Sequence, residues 1–152
     1  MKENIEALMA EIAALKASTK QDVEDARSVA NRLGMDYYVL NFKDDFQEKV
    51  IDKFVNCYLC GTTPNPCIDC NRYMKFDKLL ERARVLGYDG IATGHYARIE
   101  YSNGKYLLKK AVDSTKDQSY VLYSMTQDQL AHTVLPLGGF TKPEIREKAE
   151  SL

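Results

Sequence analysis

Cys67-Ile-Asp-Cys70-Asn-Arg-Tyr-Met-Lys-Phe76-Asp-Lys-Leu-Leu80-Glu-Arg-Ala-Arg-Val-Leu86-Gly87, followed by Tyr88-Asp-Gly90-Ile-Ala-Thr-Gly94-His95, is the stretch that decides the fold. Phe76, Leu79, Leu80, Ala83 and Leu86 recur by three and four, which predicts a helix over 71–86 closed by Gly87. The short apolar run from Gly90 to Gly94 then reads as a strand. Upstream the pattern repeats. Asp22 is placed to cap a helix with Val23, Ala26, Val29, Ala30 and Leu33 on one face and Gly34 at its end. Tyr37-Tyr-Val-Leu-Asn-Phe42 follows as an aromatic, β-branched strand. Asp44 or Asp45 then opens a helix with Phe46, Val50, Ile51, Phe54, Val55 and Tyr58 inward, reaching Cys60 and stopped by Gly61. Strand, helices and strand in this order are the grammar of a right-handed crossover in a parallel sheet, an α/β fold whose sites form at the carboxyl ends of the strands. His95 stands at such an end.

Farther along, Arg98–Tyr101 and Lys105–Leu108 flank Asn103-Gly104, a type I′ hairpin signal. Thr126 with Gln129 and Thr141 with Glu144 are capping boxes that predict short helices. The first eighteen residues differ from the rest: Ile5, Leu8, Ile12 and Leu15 keep a heptad spacing amid Ala, Glu and Lys. Glu11–Lys16 reads as idealised helix, so a replaced or non-native segment is one reading, and a helix that joins two copies of the chain is another. The expected division is 1–18, an amphipathic helix; 19–110, an α/β layer with the cysteine loop 57–71; and 111–152, the start of a further domain. The sequence ends inside the helix that Thr141 opens, which points to a longer protein.

With 152 residues and 45% hydrophobic content, one ordinary core can be built. A net charge of −1 excludes a broadly basic surface, so any RNA contact must be local. No apolar run approaches the roughly 18 residues of a membrane span and no signal peptide is legible, so the chain reads as cytoplasmic with no membrane partner.

All four cysteines, Cys57, Cys60, Cys67 and Cys70, fall within fourteen residues as two C-x-x-C pairs. In a cytoplasmic chain a structural disulfide is not expected, which leaves packing, metal or catalysis. Cys57 falls on the apolar arc of its helix and Cys60 at the edge of that arc, so both can be packing residues. Pro64-Asn-Pro66 holds the next backbone extended and puts Cys70 immediately before a helix, with Arg72 and Lys75 near. That setting suits a thiolate nucleophile. A four-cysteine zinc site in an RNA- or protein-binding module is the rival. His95 is either a polar lid or, with Gly94, a place where backbone closely approaches a phosphate or ribose. Lys116, Asp117 and Gln118 open an aromatic apolar run, as a helix start or as a grip on RNA.

Three strings, Thr63-Pro-Asn-Pro-Cys67-x-x-Cys70-Asn-Arg-Tyr-Met-Lys-Phe76, Ala92-Thr-Gly-His-Tyr-Ala-Arg98 and Lys116-Asp-Gln-Ser-Tyr120, together resemble the bacterial tRNA-uridine 2-sulfurtransferases, the 2-thiouridylase family. The likeness runs from about Asp22 to Leu152. It implies a partial Rossmann-like layer of the adenine nucleotide α-hydrolase type, followed by the start of a tRNA-binding domain. It further implies ATP as cofactor, tRNA as partner and a persulfide-carrying protein as sulfur donor. By resemblance Cys70 is the nucleophile, Asn65, Pro66 and Cys67 face the target base, Gly94 contacts nucleotide, and His95, Lys116, Asp117 and Gln118 contact tRNA. A cysteine at position 67 fits members suspected of iron-sulfur chemistry, so a cluster or zinc at Cys67 and Cys70 is one expectation. The family's Ser-Gly-Gly-Val-Asp-Ser phosphate loop and second catalytic cysteine have no counterpart in the sequence. The chain by itself is therefore expected to be inactive, and a non-catalytic oligomerising partner is a further reading.

Overall fold

A computed structural model describes residues 20–151, in two compact units that divide between Asn41 and Phe42. The heptad segment lies outside the described residues. In the first unit, helix α1 covers 20–32, so Asp22 sits inside it rather than at its cap. Gly34 N–H donates to Asn31 O and Met35 N–H to Ala30 O, the paired bonds that close a helix C-terminus. The Tyr37 hydroxyl donates to Val23 O over 3.0 Å, folding the segment after the helix back along it.

The strand expected at 37–42 does not form. Residues 35–42 have no regular structure, and Tyr38, Val39 and Leu40 are exposed. Aromatic and β-branched residues favour a pleated surface only where a neighbouring strand takes up their N–H and C=O groups. Among the described residues Ile91–Ala92 pairs with Thr133–Val134 and Ala97–Ser102 with Lys105–Lys110, which leaves 37–42 outside any ladder. Val29 and Leu33, expected on the inner face of α1, are exposed as well.

The second unit opens with α2 (Lys43–Phe46), widens into a π-helical stretch, Gln47–Asp52, and returns to α geometry in α3 (Lys53–Leu59). Of the apolar face expected here only Val50 is fully buried; Ile51, Val55 and Tyr58 are exposed. The chain then turns at Gly61. A second helical run begins with α4 (Pro66–Asp69), passes through a ten-residue π-helix, Cys70–Leu79, and ends as α5 (Leu80–Val85). Gly61 and Gly87 have φ of +74° and +82°, and each donates to the carbonyl three residues back while the next residue reaches five back. Only glycine takes that left-handed position without strain, which is why both helices stop where they do.

The parallel pair consists of β1 (Ile91–Ala92) and β4 (Thr133–Val134), aligned Ile91 to Thr133. Between them lie the hairpin β2 (Ala97–Ser102) and β3 (Lys105–Lys110), a 3₁₀ turn at Ser119–Val121, and α6 (Gln127–Ala131). Helix α7 (Lys142–Glu150) follows. The mixed parallel α/β class is as expected, with β4 rather than 37–42 as the partner of β1. The hairpin turns on Asn103 and Gly104 at φ of 50° and 77°, as the type I′ signal requires. Gln129 and Glu144 accept from the Thr126 and Thr141 N–H groups, closing the N-terminal turns of α6 and α7. Among the described residues no helix is long and apolar enough to cross a membrane.

Phe76, Ala97, Val121 and Leu122 form the core, with Ile68, Ile91, Leu108, Met125 and Leu135 against it. The core therefore joins the π-helix to the hairpin and the 3₁₀ turn. Gly138 sets how closely the chain can pass: a Cβ on it would lie 1.7 Å from the Ala97 carbonyl oxygen, whereas one on Gly139 would meet nothing within 4 Å. Gly138→Ala is expected to lower stability in urea denaturation by at least about 2 kcal/mol, and Gly139→Ala by less than about 0.5 kcal/mol.

Candidate functional site

Asn65, in extended geometry, caps the second helical run: its Oδ1 accepts from the Cys67 N–H over 3.1 Å, and Pro66 occupies the first helical position where no donor is needed. The helix thus begins five residues earlier than the sequence pattern suggests. Cys67 lies exposed on its first turn, while Cys70 sits a turn farther in and half-buried. This corrects the reading of Cys70 as the residue immediately before a helix, where the first turn's free amide N–H groups would face it. Those groups belong to the turn that carries Cys67.

What surrounds Cys70 instead is an open apolar groove of about 580 Å³, lined by Phe42, Lys43, Phe46, Gln47, Ile51, Cys70, Met74, Lys75 and Leu79. The lining residues of the π-helix fall at intervals of four, one and four. In a helix bonded i to i+5, residues four and five apart share a face, so Cys70, Met74, Lys75 and Leu79 form one stripe. Asn71, Phe76 and Leu80 are fully buried on a second stripe. Leu79, expected in the core, is half-buried at the groove for this reason, and Leu86, the last residue before Gly87, is exposed.

Asp69, adjacent to Cys70, is buried and held by Lys53 of α3, whose Nζ lies 2.7 Å from Oδ1. The hydrogen bond to Asp69 keeps the Lys53 ammonium above the usual lysine value, against the opposing pull of partial burial. Asn71 Oδ1 is buried without a hydrogen-bond partner.

His95 follows β1 and is 7% exposed. Its Nδ1 shares a hydrogen bond of 2.8 Å with the Thr93 hydroxyl, and its ring lies 6.0 Å from that of Phe76. Burial, with a smaller contribution from the Lys75 charge, lowers its pKa to about 4. Lys75 thus lines the Cys70 groove and also acts on His95. The groove and the end of β1 belong to one neighbourhood. Gly94, between them in sequence with Thr93 and His95, has open space at its Cα: a Cβ there would meet only Leu137 Cδ1 at 3.7 Å.

The segment 116–118 joins the same region through backbone. Gln118 Oε1 accepts from the Tyr96 N–H over 3.0 Å, and the Gln118 N–H donates to Tyr96 O over 2.8 Å. Asp117 accepts from the N–H groups of Ala111 and Ser119 and from the Ser119 hydroxyl. Burial raises its pKa, but these hydrogen bonds outweigh that and bring it below the usual carboxylate value. Asp117 and Gln118 therefore hold the loop, and the exposed side chain of Lys116 is the one that faces solvent. The helix expected to start here is a single 3₁₀ turn.

Cys57 and Cys60 line a different cleft with Glu48, Asp52, Lys53, Asn56 and Thr62. Among the described residues no three Cys, His, Asp or Glu side chains are grouped to hold a metal ion, so the four-cysteine zinc site and a cluster at Cys67 and Cys70 find no ligand set. Asn71 and the Lys53–Asp69 pair were not legible as site features, and Lys75 was read only as a cation near Cys70 in the sequence. The α-helical period separates Cys70 from Lys75, and only the wider π geometry brings them onto one face.

The family model described as "tRNA methyl transferase HUP domain" matches residues 1–152. The chain belongs to this family. Among curated relatives, it is 58% identical over 130 residues to the tRNA-specific 2-thiouridylase MnmA of Clostridium acetobutylicum, covering 86% of this chain and 37% of that protein. It is 59% identical over 132 residues to the protein of the same name from Desulforamulus reducens, covering 86% and 36%, and 56% identical over 132 residues to that from Clostridioides difficile, covering 86% and 37%. The chain thus spans a little over a third of the length of these relatives. The family resemblance carried by the three sequence strings is borne out.

His95 sets a pH dependence for this HUP-family chain. The unfolded histidine binds a proton near pH 6.5 and the folded one only near pH 4, so the unfolded state binds more protons in between and stability falls as the pH falls. The loss is expected to approach about 3 kcal/mol between pH 6.5 and 4, and it should be absent from that window in His95→Gln. Urea midpoints measured across the range check it; equal slopes in the two proteins would contradict it.

Proposed function

We propose that this chain is the part of a tRNA-uridine 2-sulfurtransferase that presents the nucleophile to the wobble uridine. The observation that carries the reading is Cys70 on the wall of an apolar groove, on the same π-helical stripe as Lys75, in a chain closely similar to proteins named 2-thiouridylases. Long π-helical segments are uncommon and concentrate at functional sites.

The roles follow from position. Asn65 caps the helix and, with Pro66 and Cys67 on the turn before Cys70, meets the target base. The apolar walls at Phe46 and Met74 offer a surface on which a flipped base can stack and where water is excluded. Cys70 serves as the nucleophile, with Lys43 and Lys75 as cations on the walls of the same groove. ATP, when bound, supplies the activation that turns the C2 oxygen of the uridine into a leaving group. The residues present fit an adenine nucleotide at one point: the open Cα side of Gly94 at the carboxyl end of β1 admits a ribose or phosphate that a side chain would crowd. His95, neutral and fixed by Thr93, serves as a hydrogen-bonding wall rather than a cation. Lys116 reaches a tRNA phosphate, while Asp117 and Gln118 keep its loop in place. Sulfur comes from a persulfide-carrying protein, the setting is the cytoplasm, and residues 111–152 begin the tRNA-binding part.

The test replaces the matching segment of the Clostridium acetobutylicum relative with residues 22–152 of this chain, in cells lacking their own enzyme. Mass spectrometry of digested tRNA should show 2-thiouridine, reduced at least about a hundredfold by Cys70→Ala. A folded chimera that thiolates equally well with Cys70→Ala would refute the assignment.

A further inference from the structure

Cys57 and Cys60 remain unused by the proposed reaction. Both line one cleft of about 390 Å³ on the far end of α3, whereas Cys70 lines the apolar groove and Cys67 lies exposed on the first turn of α4. Cys57 is half-buried on the last turn of α3, and Cys60 is the exposed residue that caps its C-terminus, at φ −87° and ψ 7°. Backbone hydrogen bonds close the turn between them: Cys60 N–H donates to Asn56 O, Gly61 N–H to Tyr58 O, and Thr62 N–H to Cys57 O. The Thr62 hydroxyl adds a second bond to the Cys57 carbonyl over 2.9 Å.

We propose that Cys57 and Cys60 are a reversible dithiol, a modification site separate from Cys70 that reacts with low-molecular-weight disulfides of the glutathione class. Residues three apart in a helix lie on one face with Cα atoms about 5 Å apart, inside the span a disulfide bridges. Their Cβ atoms sit about 5–6 Å apart, somewhat wider than a relaxed disulfide, and the terminal position of Cys60 supplies the movement that closes the gap. A bond made that way is strained, and strained disulfides are the readily reduced ones. The pair is therefore suited to switching rather than to permanent cross-linking.

The chemistry balances in two exchanges. The exposed Cys60 thiolate attacks one sulfur of the small disulfide, forming a mixed disulfide and releasing one thiolate. The Cys57 thiolate then attacks Cys60 Sγ, forming the Cys57–Cys60 bond and releasing the second thiolate. The protein dithiol loses two electrons and two protons, and the small disulfide becomes two thiols.

The full chain is reduced, exposed to oxidised glutathione, quenched in acid and alkylated. Cleavage after Tyr58, between the two cysteines, should then give two fragments joined by a Cys57–Cys60 bond, with no glutathione retained there. In Cys67→Ser/Cys70→Ser, two alkylatable thiols should disappear together and return in excess reduced glutathione. Adding Cys57→Ser to that background should trap glutathione on Cys60. A stable glutathione adduct on Cys60 with Cys57 still present would overturn the proposal. So would oxidation confined to Cys67 and Cys70 while Cys57 and Cys60 stay alkylatable.

Discussion

The contact between the Lys53 ammonium and the buried Asp69 carboxylate fixes the geometry on which the rest of the site depends. This ion pair ties α3 to the start of the helical run that carries Cys67 and Cys70. Without Lys53, Asp69 would be left buried beside Cys70 without that cation, and truncating one partner of a fully buried pair costs about 3–5 kcal/mol. Half of the Lys53 side chain is exposed, so solvent screening brings the figure here to about 1–2 kcal/mol. That is enough to decide how the two helical runs meet, and the groove between them exists only while they meet. Asn65 adds a second constraint at the other end of the same turn, because its side chain satisfies the Cys67 N–H and Pro66 removes the next donor.

The helix ends, the hairpin and the capping boxes were legible because each depends on local chemistry. Gly61, Gly87 and Asn103-Gly104 set backbone angles that their neighbours cannot, and Thr126 and Thr141 meet their partners within one turn. Tyr37–Phe42 was misread for the opposite reason. Its composition suits a strand, but a strand is a property of two segments, and the ladder of β1 is filled by β4. No local pattern announces a partner forty residues away.

The candidate site was legible residue by residue but not in its geometry. Cys70, Gly94 and His95 were found as strings, yet their grouping depends on the π-helix, which no propensity or period signals in advance. An α-helical reading puts Leu79 in the core and, although it sets Lys75 near Cys70 along the chain, gives the two side chains different faces. The wider turn puts both at the groove, and leaves Asn71 inward with an unsatisfied Oδ1. A buried, unmatched carbonyl next to the proposed nucleophile is the kind of local cost that functional sites retain while the rest of a core does not.

The electrostatics of the neighbourhood follow from the same packing. His95 is buried beside Phe76 and within reach of the Lys75 charge, so it stays neutral at physiological pH and adds no positive charge of its own. Lys75 then acts in a groove whose walls are apolar, where a charge is screened less than at an open surface. A groove with two lysines and a thiol on otherwise apolar walls favours a developing negative charge at a base held there in the proposed reaction, while the chain as a whole keeps a net charge of only −1. In the proposed reaction, affinity for the RNA backbone therefore belongs to exposed positions such as Lys116, and chemistry belongs to the groove. The Lys53–Asp69 pair keeps those two tasks apart by holding the cysteine turn against α3 rather than out toward solvent.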